Sequence, residues 1–187
     1  GRTGTLFACE QLDFTPDFLC LAKGITGGYL PLAATIATES VYEAFLGLPE
    51  EGKQFFHGHT YTGNPLACAA ALASLEIFDE ENVLVHVQNI TGQIASKLKH
   101  FGALTCVSAI RQNGLMVGID LCKSDGSDAP PQTGHRVAMA ARPLGAILRP
   151  LGNTIVLNPP LSIRQDETEK LLQITEEAIV QILGDES

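Results

Sequence analysis

The stretch that most constrains the fold is residues 18–38, in which Lys23 is the only charged side chain. A membrane span is the first alternative, but three glycines, a proline and the lysine make this run a poor membrane helix. The pattern instead predicts a short buried strand at 18–22, a loop at 23–28 and a second apolar strand at 30–38. Continuous apolar strands are typical of sheets that are covered on both faces.

The rest of the chain predicts alternating helices and strands. Asn64–Pro65 predicts a helix start, because asparagine caps free amide groups and proline tolerates the first helical position. Apolar residues spaced by threes and fours predict further helices, and alternation on both sides of residues 112–114 predicts a hairpin. The predicted helices are 39–46, 65–78, 83–101, 135–144 and 165–183, and the predicted strands are 104–110, 115–121, 146–149 and 154–157.

This alternation indicates the α/β class. Residues 1–79 are predicted to be the C-terminal part of a large sheet domain, residues 80–101 a connecting helix, and residues 102–187 a small α/β domain. The chain begins at Gly1 with neither a methionine nor a signal peptide, so we expect it to be part of a longer protein.

Charge and cysteine content argue against several kinds of partner. The formal net charge is −9 and no Lys/Arg-rich stretch occurs, which argues against nucleic acid and anionic membrane surfaces. The five cysteines form no C-x-x-C pair, so neither a disulfide framework nor a zinc site is expected. This cysteine usage fits a reducing compartment best, and we expect the protein in the cytoplasm.

Lys23 is the sharpest candidate for chemistry. A primary amine is a nucleophile only when it is uncharged, and burial among apolar groups disfavours its charged form. After a buried strand and beside Gly24 and Gly27–Gly28, this amine could condense with an aldehyde cofactor that approaches the backbone closely. A lysine that reaches solvent from the end of a strand has the same local pattern, so this alternative stays open.

Two further segments could bind anions. In His57–Thr60, backbone amides beside a glycine and a threonine hydroxyl could hold a phosphate, although the segment could equally be a turn. A metal site at its two histidines is not expected, because no further ligand cluster accompanies them. Arg149, which precedes Pro150 and Gly152, could clamp a carboxylate with two parallel hydrogen bonds, or could be an ordinary surface arginine.

The order of three motifs resembles the class III aminotransferases. They are Gly1-Arg-Thr-Gly-x-Leu-Phe7, the strand that ends at Lys23–Gly24, and the run from His57 through Asn64–Pro65 to Ala71. The resemblance implies fold type I of the pyridoxal-phosphate-dependent transferases, which is similar to aspartate aminotransferase. Within the family, the biotin-pathway branch is most similar at Phe7–Glu10, Leu19–Leu21, Thr26–Thr35, Arg149–Gly152 and Asn158–Pro160.

The resemblance also implies a role for individual residues. Lys23 would hold pyridoxal 5'-phosphate (PLP) through an imine and then act as the acid and base of proton transfer. Thr60 and the backbone at His59 would bind the cofactor phosphate in the site of a neighbouring subunit of a homodimer. Gly58 and Arg149 would contact the carboxylate end of the acceptor. S-adenosylmethionine would donate an amino group to 8-amino-7-oxononanoate, giving 7,8-diaminononanoate.

Two alternatives remain beside this interpretation. Ornithine, acetylornithine and ω-amino acid aminotransferases are similar at the lysine and at the His-Gly-x-Thr segment. A non-catalytic copy that keeps only the dimer surface is a candidate of a different class. The family's aspartate that pairs with the pyridine nitrogen matches no position of this chain. We therefore expect the 187-residue chain alone to have little transaminase activity, because PLP without that carboxylate is a poorer electron sink.

Overall fold

The computed structural model describes residues 1–184, so residues 185–187 of the predicted C-terminal domain lie outside the described part. The chain divides into two compact units, which we name after their candidate residues. The lysine unit is Cys9–Asn82, and the arginine unit is Gly1–Ala8 together with Val83–Ser187. The predicted domain limits at 1–79, 80–101 and 102–187 stay a prediction.

The lysine unit combines a small sheet with helices of different lengths. A 3-10 helix at Ala8–Leu12 precedes its other elements. In chain order these are strand β1 (Phe18–Leu21), a 3-10 turn (Lys23–Thr26), strand β2 (Ala34–Ala37), helix α1 (Glu39–Glu43), a 3-10 turn (Pro49–Glu51) and helix α2 (Pro65–Glu80).

Strands β1 and β2 form within the predicted ranges 18–22 and 30–38, although β2 covers only 34–37. Their predicted burial is wrong. They pair antiparallel, with Leu19 opposite Ile36. Residues along β1 alternate between exposed and half-buried, and Ile36 is 52% exposed. The reason is a shortage of covering groups, because Ala67 and Ala71 are the only buried apolar residues of the described lysine unit.

Helix α2 begins as its capping pair predicts. The Asn64 side-chain oxygen Oδ1 accepts hydrogen bonds from the backbone amides of Leu66 at 3.0 Å and Ala67 at 3.1 Å. These bonds satisfy amides that the first turn of a helix leaves without a partner. The helix runs to Glu80 rather than to residue 78. Leu66 on its surface is 71% exposed, so α2 presents an uncovered apolar face.

The arginine unit consists of a three-stranded sheet and three helices. The sheet is antiparallel in the order β3-β4-β5. No helix in the described part of the chain is long and apolar enough to cross a membrane. The elements are helices α3 (Val83–Phe101), α4 (Thr133–Leu144) and α5 (Gln165–Leu183), and strands β3 (Val107–Asn113), β4 (Met116–Leu121) and β5 (Thr154–Leu157).

One apolar core holds the arginine unit together. The apolar spacing that predicted α3 becomes a buried stripe along one face of this helix. Burial of one large aliphatic side chain stabilises a fold by roughly 1.5–3 kcal/mol, so this core is the main source of stability. Its larger members are Val87, Ile90, Ile94, Leu98, Phe101, Leu115, Val117, Ile119, Leu121, Val137, Leu148, Ile155, Leu157, Ile163, Leu172, Ile174, Ile179 and Leu183.

The strand predicted at 146–149 does not form. The alternation that predicted it is present, because Ala146 and Leu148 are buried whereas Ile147 is 82% exposed. Strand β5 pairs with β4, and no described strand pairs with residues 146–149. Alternating burial therefore produces an extended segment here, and the ladder of hydrogen bonds that defines a strand is missing.

The first residues of the chain run across the β3–β4 hairpin. The amide of Leu115 donates to the carbonyl oxygen of Arg2 at 3.0 Å, and Gln88 Nε2 donates to the carbonyl oxygen of Gly4 at 2.8 Å. Gly114 in the turn has a φ of +60°, and a Cβ atom there would lie 2.2 Å from the Arg2 oxygen. Only glycine fits this contact without moving the backbone.

The substitution Gly114→Ala is expected to lower the free energy of unfolding by at least about 2 kcal/mol, because it combines backbone strain with a steric clash. Urea denaturation measures this loss. Gly126→Ala is the matched control, because Gly126 has a φ of +82° but nothing within 4 Å of its added Cβ. It should cost only about 1 kcal/mol. Equal losses in both variants would contradict the close contact.

A polar cluster joins the three strands of the sheet. Arg111 lies opposite Gly118, which has no side chain, and its Nη2 donates to Asp120 Oδ1 at 2.8 Å. Thr154 Oγ1 donates to the same oxygen at 2.6 Å. The hydrogen bond from Arg111, followed by that from Thr154, lowers the pKa of Asp120 from 3.8 to about 2.

Because the pKa of Asp120 is lower in the folded protein, the cluster stabilises the fold fully above pH 3.8 and loses its effect as the pH falls towards about 2. Asp120→Asn is expected to cost about 0.5–1 kcal/mol at neutral pH, since Arg111 is largely exposed. The variant should also lose less stability than the wild type across that acid range. Urea denaturation at several pH values measures both effects, and an unchanged acid profile would argue against Asp120 as their source.

Candidate active site

Lys23 begins the 3-10 turn directly after β1. Its φ of +52° lies in the left-handed region, which residues other than glycine adopt rarely. The residue is exposed, and it forms no ion pair with any described residue. The expected burial of this amine among apolar groups is therefore wrong for the described chain. No described element packs over β1, and for the same reason Lys23 is exposed to solvent.

Two side-chain hydrogen bonds fix the loop that follows Lys23. The hydroxyl of Ser74, on α2, donates to the carbonyl oxygen of Gly24 at 3.4 Å. The hydroxyl of Thr26, which is only 2% exposed, donates to the carbonyl oxygen of Leu30 at 2.6 Å. The sequence motifs did not single out the Ser74 hydroxyl, because α2 is distant from Lys23 along the chain.

The glycines beside Lys23 leave open space. A Cβ atom at Gly24 or at Gly28 would have no neighbour within 4 Å. At Gly27, which has a φ of +61°, the nearest neighbour of such an atom is the ring of Tyr29 at 3.6 Å. A flat ligand can therefore approach the backbone at Gly24 and at Gly28.

The segment predicted to bind phosphate forms a closed loop. The amide of His59 donates to Thr62 Oγ1 at 3.0 Å, and the amide of Thr62 donates to the carbonyl oxygen of His59 at 2.9 Å. The imidazole Nδ1 of His59 accepts from the amide of Tyr61 at 3.1 Å. The His59 amide becomes available to a phosphate only when the side chain of Thr62 rotates away. The sequence motif did not reveal this competitor.

Gly58 and Thr60 are exposed, and the structure shows no hydrogen bond to the Thr60 hydroxyl from any described residue. A Cβ atom at Gly58 would lie 3.3 Å from Thr62 Oγ1, so the glycine leaves room for the bond between Thr62 and His59. His57 stacks on Phe55, with ring centroids 5.4 Å apart and planes 2° from parallel. Within residues 1–184 no group of three side chains could hold a metal ion.

Arg149 lies on a cleft of about 450 Å³ within the arginine unit. Helix α4 forms one wall of this cleft, and residues 148–152 form the other. No carboxylate lines the cleft, and Arg149 has no ion pair with a described residue. Its guanidinium group is therefore available to an anion. Arg149 ends the extended segment 146–149, so its predicted place at the end of a regular strand is wrong.

The turn after Arg149 is fastened to the start of α4. The side-chain amide of Asn153 donates to two carbonyl oxygens of the preceding loop at 2.8 Å and 3.0 Å, and its Oδ1 accepts from the amide of Gly134 at 3.2 Å. A Cβ atom at Gly134 would lie 2.2 Å from the carbonyl oxygen of Gly152. The only sequence signal for this contact was the pair of turn residues 152 and 153.

The candidate residues are divided between the two units. Lys23, Gly58, His59 and Thr60 belong to the lysine unit, whereas Arg149 belongs to the arginine unit. Among the described residues no hydrogen bond joins Lys23 to the segment that contains the other three. Their action in one site stays a prediction.

One family model matches most of this chain, and curated relatives with one shared name match nearly all of it. Residues 1–179 match the family model described as Aminotransferase class-III. An adenosylmethionine-8-amino-7-oxononanoate aminotransferase of Nitratidesulfovibrio vulgaris is 50% identical over 97% of this chain and 34% of its own length. The protein of the same name from Aquifex aeolicus is 48% identical over 97% of this chain and 41% of its own length.

Solved structures agree with the family model. The adenosylmethionine-8-amino-7-oxononanoate aminotransferase of Methanocaldococcus jannaschii has a TM-score of 0.88 and 46% identity, over 97% of this chain and 43% of its own. A PLP-bound amine transaminase from an uncultivated Pseudomonas species has a TM-score of 0.88 and 34% identity, over 97% and 42%.

The chain thus spans well under half the length of these relatives. Within that span the match covers nearly every residue, and it confirms the predicted α/β class and fold type I. The chain therefore belongs to the class III aminotransferases.

Proposed function

We propose that this chain is part of a PLP-dependent transaminase of biotin biosynthesis. It would transfer an amino group from S-adenosylmethionine to 8-amino-7-oxononanoate and form 7,8-diaminononanoate. The observation that carries this proposal is the name shared by five relatives, which are 46–50% identical over nearly the whole chain. Lys23 is the residue that would supply the amine chemistry that this name requires.

The surroundings of Lys23 fit PLP. The amine has no partner among the described side chains, and Gly24 and Gly28 leave space beside it. A left-handed backbone at a residue with a side chain costs roughly 1–2 kcal/mol. Strain of this kind is concentrated at functional sites, where the surrounding structure holds it in place. The positive φ of Lys23 therefore supports a functional role for this position.

Lys23 acts as both anchor and proton carrier in this proposal. When bound, PLP supplies an aldehyde that captures amines and a ring that accepts the electrons released when a proton is removed. The Nζ atom of Lys23 holds the cofactor and moves that proton. Both tasks require an uncharged amine, so they need cover for Lys23 that the described lysine unit does not provide.

The loop of residues 57–62 is proposed to hold the cofactor phosphate. Thr60 contributes a hydroxyl that no described residue occupies. The backbone amide of His59 contributes once the hydroxyl of Thr62 releases it. The phosphate would replace a neutral hydrogen bond with a charge-assisted one, which is roughly twice as strong. That difference favours rotation of the Thr62 side chain on binding.

Arg149 and Gly58 are proposed to contact the carboxylate end of the acceptor. The guanidinium group of Arg149 is exposed on a cleft that no carboxylate lines. A planar guanidinium matches the two oxygens of a carboxylate and can donate to both. Gly58 is exposed on the same loop as His59 and Thr60.

A second candidate is a class III aminotransferase of the ω-amino acid type. An omega-aminotransferase from Paracoccus denitrificans has a TM-score of 0.89 with this chain. Its identity is 26%, whereas the relatives named for adenosylmethionine and oxononanoate reach 46–50%. We therefore place the biotin-pathway activity first, and amino-donor assays with S-adenosylmethionine and with ω-amino acids separate the two candidates.

We also propose a homodimer in the cytoplasm, with active sites at the subunit interface. The lysine unit exposes large apolar side chains, such as Phe56 at 92%, Tyr61 at 73% and Leu72 at 62%. Exposed apolar surface of this kind marks a site of association. All five cysteines are free, which is compatible with a reducing compartment.

In the longest gene product that contains this chain, borohydride reduction in the presence of PLP is expected to attach the cofactor to Lys23. Peptide mass spectrometry locates the label. Lys23→Ala should carry no label and should lose amino transfer from S-adenosylmethionine by more than about 100-fold, because the proton carrier is gone.

Lys53→Ala is the matched control for that experiment. Lys53 lies in the same unit and forms an ion pair with Glu51 at 3.4 Å, and it has no part in the proposed chemistry. This variant should keep both the label and the activity. A label on any other lysine, or PLP covalently attached to the Lys23→Ala protein, would overturn the assignment.

The strain at Lys23 can be measured without the cofactor. Lys23→Gly is expected to be more stable to urea than Lys23→Ala by about 1 kcal/mol, because glycine adopts a positive φ at little cost. The same pair at Lys53, which has no positive φ, should show no advantage for glycine. An equal stability of the two Lys23 variants would mean that the backbone is relaxed.

A further inference from the structure

Helix α4 presents one row of side chains to the cleft beside Arg149. His135, Met139 and Arg142 are spaced by four and three positions, so they lie along one face of the helix. The opposite wall is formed by residues 148–152 and includes Arg149. The cleft has a volume of about 450 Å³ and lies within the arginine unit.

The cleft is positively charged although the chain is acidic. Two guanidinium groups and an imidazole line it, and no aspartate or glutamate does, in a chain with a net charge of −9. Arg111 and Arg164 form ion pairs with aspartates, but neither Arg142 nor Arg149 has an ion pair with a described residue. Two like charges in one cleft repel each other, and a bound anion relieves that repulsion.

The remaining walls of the cleft are apolar. Leu148 and Pro150 contribute from the wall opposite α4, and Met139 contributes from α4 with 46% of its surface exposed. Methionine is unbranched and flexible, so it adapts to the shape of an aliphatic ligand. The guanidinium groups are complementary to a carboxylate, and the apolar walls beside them are complementary to an alkyl chain.

We propose that Arg142 is a second carboxylate-binding residue, which acts together with Arg149 and with His135 on the carboxylate end of the acceptor. Met139 contacts the alkyl chain of the same ligand. The identity of the acceptor rests on the proposed function, whereas the ligand class, an aliphatic carboxylate, rests on the cleft alone. The proposal adds Arg142, His135 and Met139 to the single arginine that the sequence motif singled out.

A merely structural role for Arg142 predicts a different result. Arg142 lies in the last turn of α4, where a positive charge favours the negative end of the helix dipole. That role would change the stability of the helix and leave ligand binding untouched. Binding and stability must therefore be measured separately in the same variants.

The test uses the 187-residue chain labelled with ¹³C at its methionine methyl groups and titrated with nonanoate. The chain has two methionines, so the Met139 signal reports on the cleft and the Met116 signal, from β4, is an internal control. Nonanoate should shift the Met139 signal and leave the Met116 signal in place. Nonanamide, which has the same alkyl chain and no charge, should bind at least about tenfold more weakly.

Arg142→Gln should weaken nonanoate binding about tenfold, and Arg142→Lys should weaken it less, because it keeps the charge but loses the planar fork. Arg136→Gln is the matched control, since Arg136 is exposed on α4 but does not line the cleft. Thermal melting of each variant separates binding from stability. An unshifted Met139 signal, equal binding of nonanamide, or Arg142→Gln binding like Arg136→Gln would each overturn the proposal.

These outcomes are independent of the transaminase assays. If Arg142→Gln weakens nonanoate binding while the longest gene product transfers no amino group, the cleft assignment stands and the proposed function falls. If amino transfer is found and nonanoate binds without help from Arg142, the proposed function stands and the cleft assignment falls.

Discussion

The burial of apolar side chains is distributed very unevenly along this chain. The arginine unit encloses a core built from α3, α4, α5 and the β3-β4-β5 sheet, whereas the lysine unit buries only two alanines among its apolar residues. Ordering a backbone costs roughly 1–2 kcal/mol per residue, and burial is the main effect that offsets it. Within the described chain, the lysine unit therefore has little apolar burial to offset that cost. The relatives are more than twice as long, and such added length can supply the missing cover.

The parts of the fold that the sequence predicted well are those with local causes. The apolar spacing at 83–101 and 165–183 fixed both helices to the residue, because a helix needs only its own hydrogen bonds and one apolar face. Asn64–Pro65 marked the start of α2, since capping involves neighbours within one turn. Three separated motifs then indicated the family, and the match over residues 1–179 agrees with them.

The predictions that failed depended on distant partners. The burial of β1 and the strand at 146–149 both require a covering layer or a second strand that the described residues do not contain. The sequence also did not predict the positive φ of Lys23 or the hydrogen bond from the His59 amide to Thr62 Oγ1. An alternating or apolar pattern predicts which face of a segment is suited to burial. It does not predict whether another element of the chain covers that face.

This asymmetry gives the two units different parts in the proposed enzyme. Arg149 follows a segment whose Leu148 is anchored in the core, and the next turn is fixed by Asn153 and Gly134, so its backbone is preorganised before any ligand arrives. A preorganised site loses little conformational entropy on binding, which suits recognition of a carboxylate. Lys23 instead sits on a strained and exposed turn, and its amine needs an environment completed by other groups. In this proposal the arginine unit can bind the carboxylate by itself. The chemistry at Lys23 depends on groups that complete its surroundings.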